Sequence, residues 1–168
     1  ELIKRNILNQ GIVSYNCTGE ELEQQFINAD LQRYQEIHNI SFGLLPYNTV
    51  QTHGTLEQCI VDSNVSLVLE TYTSDSHIVF SEKIFRALQL PRPWLLYCSP
   101  GSVALLKRYG FDVLDEYVDA SYDNTTQHHL RLLNILDQLE TFINRQYTKQ
   151  DYQRFAQAAL HNQTLLAT

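Results

Sequence analysis

The plainest hydrophobic pattern in this chain lies between residues 65 and 118. VSLVLET (Val65 to Thr71) is an almost unbroken apolar, β-branched run, the pattern of a strand buried on both faces of a parallel sheet. A polar loop, YTSDSH, leads into a helical pattern that Ser81 caps and that Pro91 and Pro93 end. WLLYC predicts a second buried strand. SPG turns the chain into a helix, SVALLKRY, closed by Gly110, and FDVLDEYV predicts a third strand. Strand, helix, strand, helix, strand with short connections predicts βαβαβ winding: an α/β fold, with a Rossmann-like parallel sheet and flanking helices.

The flanking segments add helices. Residues 1–10 form a short amphipathic pattern stopped by Gly11, followed by a brief β-like GIVSYN. Thr18 precedes Glu21 at capping-box spacing and opens a helix to about His38; residues 39–54 read as irregular, and Thr55 caps TLEQCIVD. Two long helices, roughly 125–145 and 148–166, finish the chain, the second opened by Thr148. Leu130, Leu133, Ile135, Leu136, Leu139 and Phe142 give the first its apolar side. Residues 125–168 thus read as a helical C-terminal extension of a single domain spanning 1–168.

Composition narrows the classes. With 43% hydrophobic and 11% aromatic residues, the chain can bury a packed core. A net charge of −7 without a Lys/Arg cluster argues against a broad grip on DNA or RNA, while leaving room for one compact cationic spot. Cys17, Cys59 and Cys98 are odd in number and lack metal-ligand spacing, as expected of reduced thiols in a cytoplasmic protein. No apolar run approaches the roughly 18 residues of a membrane span. The chain contains no methionine and opens in helical rhythm, the expectation for an excised domain whose partner residues lie elsewhere.

In a doubly wound sheet, ligands gather beyond the carboxyl ends of the strands. Three features converge there: Glu70 closing the first strand, Ser81-Glu82-Lys83 opening the next helix, and the Ser99-Pro100-Gly101-Ser102 turn. A phosphate suits the helix starts and the lysine; a neighbouring carboxylate suits ribose hydroxyls. Serine at the N-cap and glutamate in the first turn also begin helices that bind nothing, although a lysine there opposes the dipole. Tyr122 and Asp123 have two readings as well. Asp123 or Asn124 starts the long helix with Tyr122 packed beneath, or Tyr122 and Asp123 face the cleft. Arg131, two turns further on, pairs with an acidic neighbour or a phosphate. His128 and His129 point about 100° apart on a helix and do not share one metal ion readily. Cys98 reads as a packed thiol. The sequence has no GxSxG, P-loop lysine, CxxC, GxGxxG or DxD motif, which disfavours hydrolase, NTPase, redox and dehydrogenase readings and favours metal-independent chemistry.

LVLETYTSDSHIVFSEKIFRAL followed by PWLLY resembles the fucosyltransferase segment in which a strand ends in glutamate and a loop leads to a Thr-Glu-Lys helix start. It is also similar to a group of phage and bacterial glycosyltransferase-like proteins. Their pattern continues through Gly-Phe, an acidic Ser-Tyr-Asp and an arginine, here Gly110-Phe111, Asp119 with Ser121-Tyr122-Asp123, and Arg131. The resemblance covers about residues 60–140 and, weakly, the opening helix. It implies the C-terminal, donor-binding half of a GT-B-type architecture, with Lys83 on the donor pyrophosphate, Glu82 on the ribose, and Glu70 near the donor sugar or supporting the loop. The chain departs from the family in having Ser81 for threonine and Val79 for tyrosine. The family's phosphate-binding arginine would fall at or before Glu1, and the acceptor half that carries the base is absent. The expected donor-binding set is Lys83, Glu82, Ser81, Glu70, Gly101, Tyr122, Asp123 and Arg131, with no metal and no cofactor beyond the nucleoside-diphosphate sugar. The alternative is a non-catalytic nucleotide-binding or protein-interaction domain.

Overall fold

The first two apolar runs do become parallel strands. In the computed structural model, β1 (Ser66–Leu69) pairs in parallel with β2 (Trp94–Tyr97), in the register Ser66↔Trp94 to Leu69↔Tyr97. The ladder extends beyond both ends, from the Ser66 N–H to the Pro93 carbonyl and from the Glu70 N–H to the Tyr97 carbonyl, each 3.0 Å. Pro93 supplies only a carbonyl there, so its missing N–H costs nothing. The structure describes Arg5 and residues 63–73 and 77–167. The chain divides into two units, Glu1–Ser63 and Asn64–Thr168, and the described strands and helices all belong to the second. The segments predicted before residue 63 lie outside the described residues, as do Cys17 and Cys59.

Between the strands runs α1 (Glu82–Leu88), followed after β2 by α2 (Ser102–Arg108), a 3-10 helix (Ala120–Asn124), α3 (His128–Ile143) and α4 (Lys149–Leu166). The described residues are therefore mixed α/β, with a two-stranded parallel sheet and four α-helices. α1 packs on both strands and on α4, and α3 packs on β2. Ile84, Leu88, Leu95, Leu96, Val103, Leu106, Ile135 and Leu136 make the fully buried core. None of the described helices is long and apolar enough to cross a membrane.

Local chemistry accounts for the helix ends. Ser81 is the N-cap of α1, its Oγ accepting the Lys83 N–H. Thr148 and Asp151 form a reciprocal capping box at the start of α4. α2 closes in a Schellman motif: Phe111 N–H to Leu106 O, Gly110 N–H to Lys107 O, with Gly110 at φ 91°. Two expectations fail. β1 is not buried on both faces: Val68 and Glu70 are covered, but Leu69, on the opposite face of the pleat, is 51% exposed. FDVLDEYV is not a third strand.

The reason lies at Asp112 and Leu114. The Asp112 carboxylate accepts the Leu114 N–H at 3.1 Å, Leu114 takes φ 57°, and the chain turns as the Tyr117 and Val118 N–H groups both reach back to the Leu114 carbonyl. A partner other than a strand satisfies the Asp112 backbone. Asn162, buried in α4, accepts its N–H at 2.8 Å and donates to its carbonyl at 3.0 Å, and also donates to the Leu88 carbonyl. Asn162 thus does for one residue what a neighbouring strand would do. Arg154 grips the Asp112 carboxylate with two bonds of 2.8 and 3.0 Å and also pairs with Glu116. Leu114 then packs with Phe155 and Ala158.

Asn162→Ala removes three hydrogen bonds and leaves buried backbone groups without partners; the expected loss is about 2–4 kcal/mol, read from urea unfolding. Burial pushes the Asp112 carboxyl up, but the hydrogen bonds from Arg154 and Leu114 and the Arg154 and His161 charges outweigh it and hold the group below its ordinary value. A depressed carboxyl contributes stability above its unfolded value, near about 3.9, and that contribution is lost as pH falls through the folded value. In Asp112→Asn, acid unfolding monitored below about pH 4 should show a shallower dependence on pH than in the wild type.

Candidate functional site

The carboxyl edge of β1 and β2 carries a chain of polar contacts starting at Glu70. This residue follows β1 and is 6% exposed. Its Oε1 accepts the Ser81 N–H at 3.0 Å and its Oε2 accepts the Ser81 hydroxyl at 2.6 Å. The Ser81 Oγ in turn accepts the Lys83 N–H at 3.3 Å and the Lys83 ammonium at 3.2 Å. Glu70 therefore pins the serine that starts α1, and that serine pins the lysine. Lys83 and Glu82 are the groups open to solvent, with side chains 38% and 78% exposed and 3.9 Å apart. The geometry gives Glu70 and Ser81 an intrachain task and leaves Lys83 and Glu82 accessible to a ligand.

Gly101 stands at the second strand-to-helix turn with φ 80°, a conformation suited to glycine. It offers α2 no side-chain cap. Asp123, 4% exposed and carried by the 3-10 helix, supplies one from a distance: its Oδ2 accepts the Ala104 N–H at 3.0 Å, and its carbonyl accepts the Gly101 N–H at 2.9 Å. Asp123 thus caps α2 and not the long helix that follows it, which begins at His128 with Gln127 as its N-cap. Tyr122 is buried beside it, its hydroxyl accepting the Leu96 N–H of β2 at 3.1 Å. Burial raises the Tyr122 phenol well above its ordinary value, more than the Leu96 N–H lowers it, so the group stays neutral. A cavity of about 240 Å³ opens between α2 and the 3-10 helix, lined by Val103, Lys107, Ser121, Asp123 and Asn124 among others. Its polar lining is largely engaged already: Lys107 pairs with Asp115 at 2.8 Å and Asp123 caps α2.

Arg131 is 1% exposed. Its Nη1 donates to the Thr125 carbonyl at 2.7 Å, and its Nη2 reaches the Thr73 carbonyl at 3.4 Å and His128 Nδ1 at 3.0 Å. The guanidinium carbon lies 5.4 Å from the centre of the Tyr97 ring. None of its bonds is to a carboxylate among the described residues. Tyr97, Thr73 and Thr125 escape sequence reasoning. Only Tyr97, the last residue of β2, carries a positional signal, since the others contribute backbone carbonyls. His128 and His129 are both exposed, and the described residues contain no group of three or more potential metal ligands. Cys98 is a buried free thiol between the Tyr72 and Val79 carbonyls.

The position of Glu70 yields a direct test. Glu70→Ala leaves the Ser81 N–H and hydroxyl without their acceptor in a part-buried setting, with an expected loss of about 2–3 kcal/mol in chemical denaturation and faster amide exchange in α1. Glu70→Gln, which keeps one acceptor, should lose less. Unchanged stability in both variants would show that Glu70 does not hold α1.

No family model, curated protein or solved structure matches the chain. Its function is therefore read from the chemistry of these residues.

Proposed function

We propose that this chain is the nucleotide-sugar-binding part of a glycosyltransferase, the donor half of a Rossmann-like, GT-B-type active site. The observation that carries this reading is the placement of Lys83. Its ammonium is held at the carboxyl edge of a parallel strand pair by the Ser81 hydroxyl, which is itself fixed by Glu70, and the side chain remains 38% exposed. A lysine anchored this way is preorganised and does not have to be ordered by its ligand.

In this reading Lys83 meets the diphosphate of the donor and stabilises the charge that grows on it as the glycosidic bond breaks. Glu82, exposed beside it, accepts hydrogen bonds from ribose hydroxyls. Gly101 lets the backbone approach closely at the second turn, although its N–H is already given to Asp123. Tyr122 and Asp123 act behind the site, holding that turn and β2 in place. The acceptor hydroxyl is activated by a base from the other half. A cytoplasmic setting belongs to the same proposal and rests on the cysteine pattern.

A second reading, a protein-interaction module, is favoured by the exposed Tyr152, Leu160 and Leu166 on α4. Calorimetric titration with a panel of nucleoside diphosphates separates the two. The donor reading expects binding with a preferred base, weakened in Lys83→Ala by about 1.4–2.8 kcal/mol, or roughly 10- to 100-fold in Kd. Absence of binding to every nucleotide, or equal affinity in wild type and Lys83→Ala, would count against it.

A further inference from the structure

The last helix buries one side and leaves another in solvent. On α4, Phe155, Ala158, Ala159 and Asn162 are buried, whereas Lys149, Tyr152, Ala156, Leu160, Gln163 and Ala167 are all exposed. The steps of three or four residues between those six keep them in one stripe along the whole helix. Its two large side chains are Tyr152, 51% exposed, and Leu160, 65% exposed. The Tyr152 ring stands edge-on to Tyr147 and Phe155, with centroids 5.9 and 6.1 Å away. It is therefore ordered before any partner arrives.

Charge identifies what fits the stripe. From Phe155 to Thr168 the sequence has no Asp, Glu, Lys or Arg, in a chain whose net charge is −7. Two copies of such a chain repel one another in general, but this face adds nothing to the repulsion. The ends of the helix are complementary as well. Asp151 suits the positive N-terminal end of α4, while the last turn holds no basic residue to suit the negative end. Lys149, the first residue of α4, opposes its own helix dipole and forms no ion pair among the described residues. In an antiparallel pair of α4 helices centred between Ala156 and Leu160, Lys149 of each copy lies over Ala167 of the other. The same register sets Ala156 against Leu160, small side chain against large, and Tyr152 against Gln163. α4 has 18 residues and is about 27 Å long, so both ends of the pair coincide.

We propose that this stripe is the docking surface for a second copy of the chain, an antiparallel α4–α4 pair related by a two-fold axis. The contact is isologous, so each copy supplies the same residues. A single helix pair is small beside the roughly 1,200–2,000 Å² buried in stable complexes, so the dimer is weak and forms with rising concentration. It is independent of the donor-binding reading, whose lysine belongs to α1.

Sedimentation velocity of the 168-residue chain from about 10 μM to about 1 mM tests this. The wild type should pass reversibly from monomer to dimer within that range. Ala156→Glu and Leu160→Glu each place a carboxylate at the centre of the pair, on a position that is exposed in the monomer. Both should stay monomeric throughout, with the far-ultraviolet circular dichroism and thermal midpoint of the dilute wild type. Lys149→Glu should raise the dimer dissociation constant about tenfold, because both ends of the pair lose their complement. A wild type that is monomeric at every concentration overturns the inference and leaves the stripe to a different protein. A dimer that survives Ala156→Glu and Leu160→Glu overturns it by placing the contact on another surface. A dimer lost in those two but indifferent to Lys149→Glu overturns the antiparallel pairing. If either glutamate variant lowers the midpoint, Lys149→Glu decides: a weakened dimer supports the inference, and an unchanged one sinks it.

Discussion

Every backbone N–H and C=O removed from water has to find a partner, and among the described residues the sheet has only two strands with which to provide them. Side chains complete what the sheet leaves open. The Tyr122 hydroxyl takes the Leu96 N–H of β2. The next residue, Asp123, takes the Gly101 N–H on its carbonyl and the Ala104 N–H on its carboxylate, so one short 3-10 segment serves both β2 and the start of α2. Asn162 does the same for Asp112, and Glu70 for Ser81. These contacts span 11 to 50 positions of sequence.

That obligation sorts the residues at the carboxyl edge into two kinds. A carboxylate that is already buried and hydrogen-bonded within the chain, such as Glu70 or Asp123, would have to give up those bonds to receive a ligand, which is unfavourable. Lys83 and Glu82 bear no such burden, because both reach solvent from the first turn of α1. The site is thus layered, with buried residues setting the positions of the strand ends and helix starts and exposed residues available for contact. Lys83 belongs to both layers, anchored through Ser81 yet open on its other side.

Two polar residues occupy the apolar stripes of the C-terminal helices. On α3, Arg131 stands four residues before Ile135 and eight before Leu139. On α4, Asn162 stands seven residues after Phe155 and four after Ala158. Helical spacing alone places both on the buried face, which is a legible signal. Their partners are not legible, because a buried side chain chooses among whatever carbonyls and amides the fold brings near it. Arg131 meets Thr73, 58 positions away, and Asn162 meets Leu88, 74 positions away.

Local chemistry in the sequence determined the extended conformation of two apolar runs, the helices between and after them, the caps at Ser81 and Thr148, and the glycine stop at Gly110. Each depends on residues only a few positions apart. The segment 111–118 went differently: its alternating pattern suits a strand, but Asp112 folds back on Leu114, and Asn162 and Arg154 from α4 take the bonds that a strand partner would have taken. Tertiary structure alone decided that outcome, along with the roles of Glu70, Tyr122, Asp123 and Arg131. The reason is physical: local preferences for helix or strand are small, whereas leaving a buried polar group unpaired is expensive, so the final conformation follows whichever distant partner satisfies it.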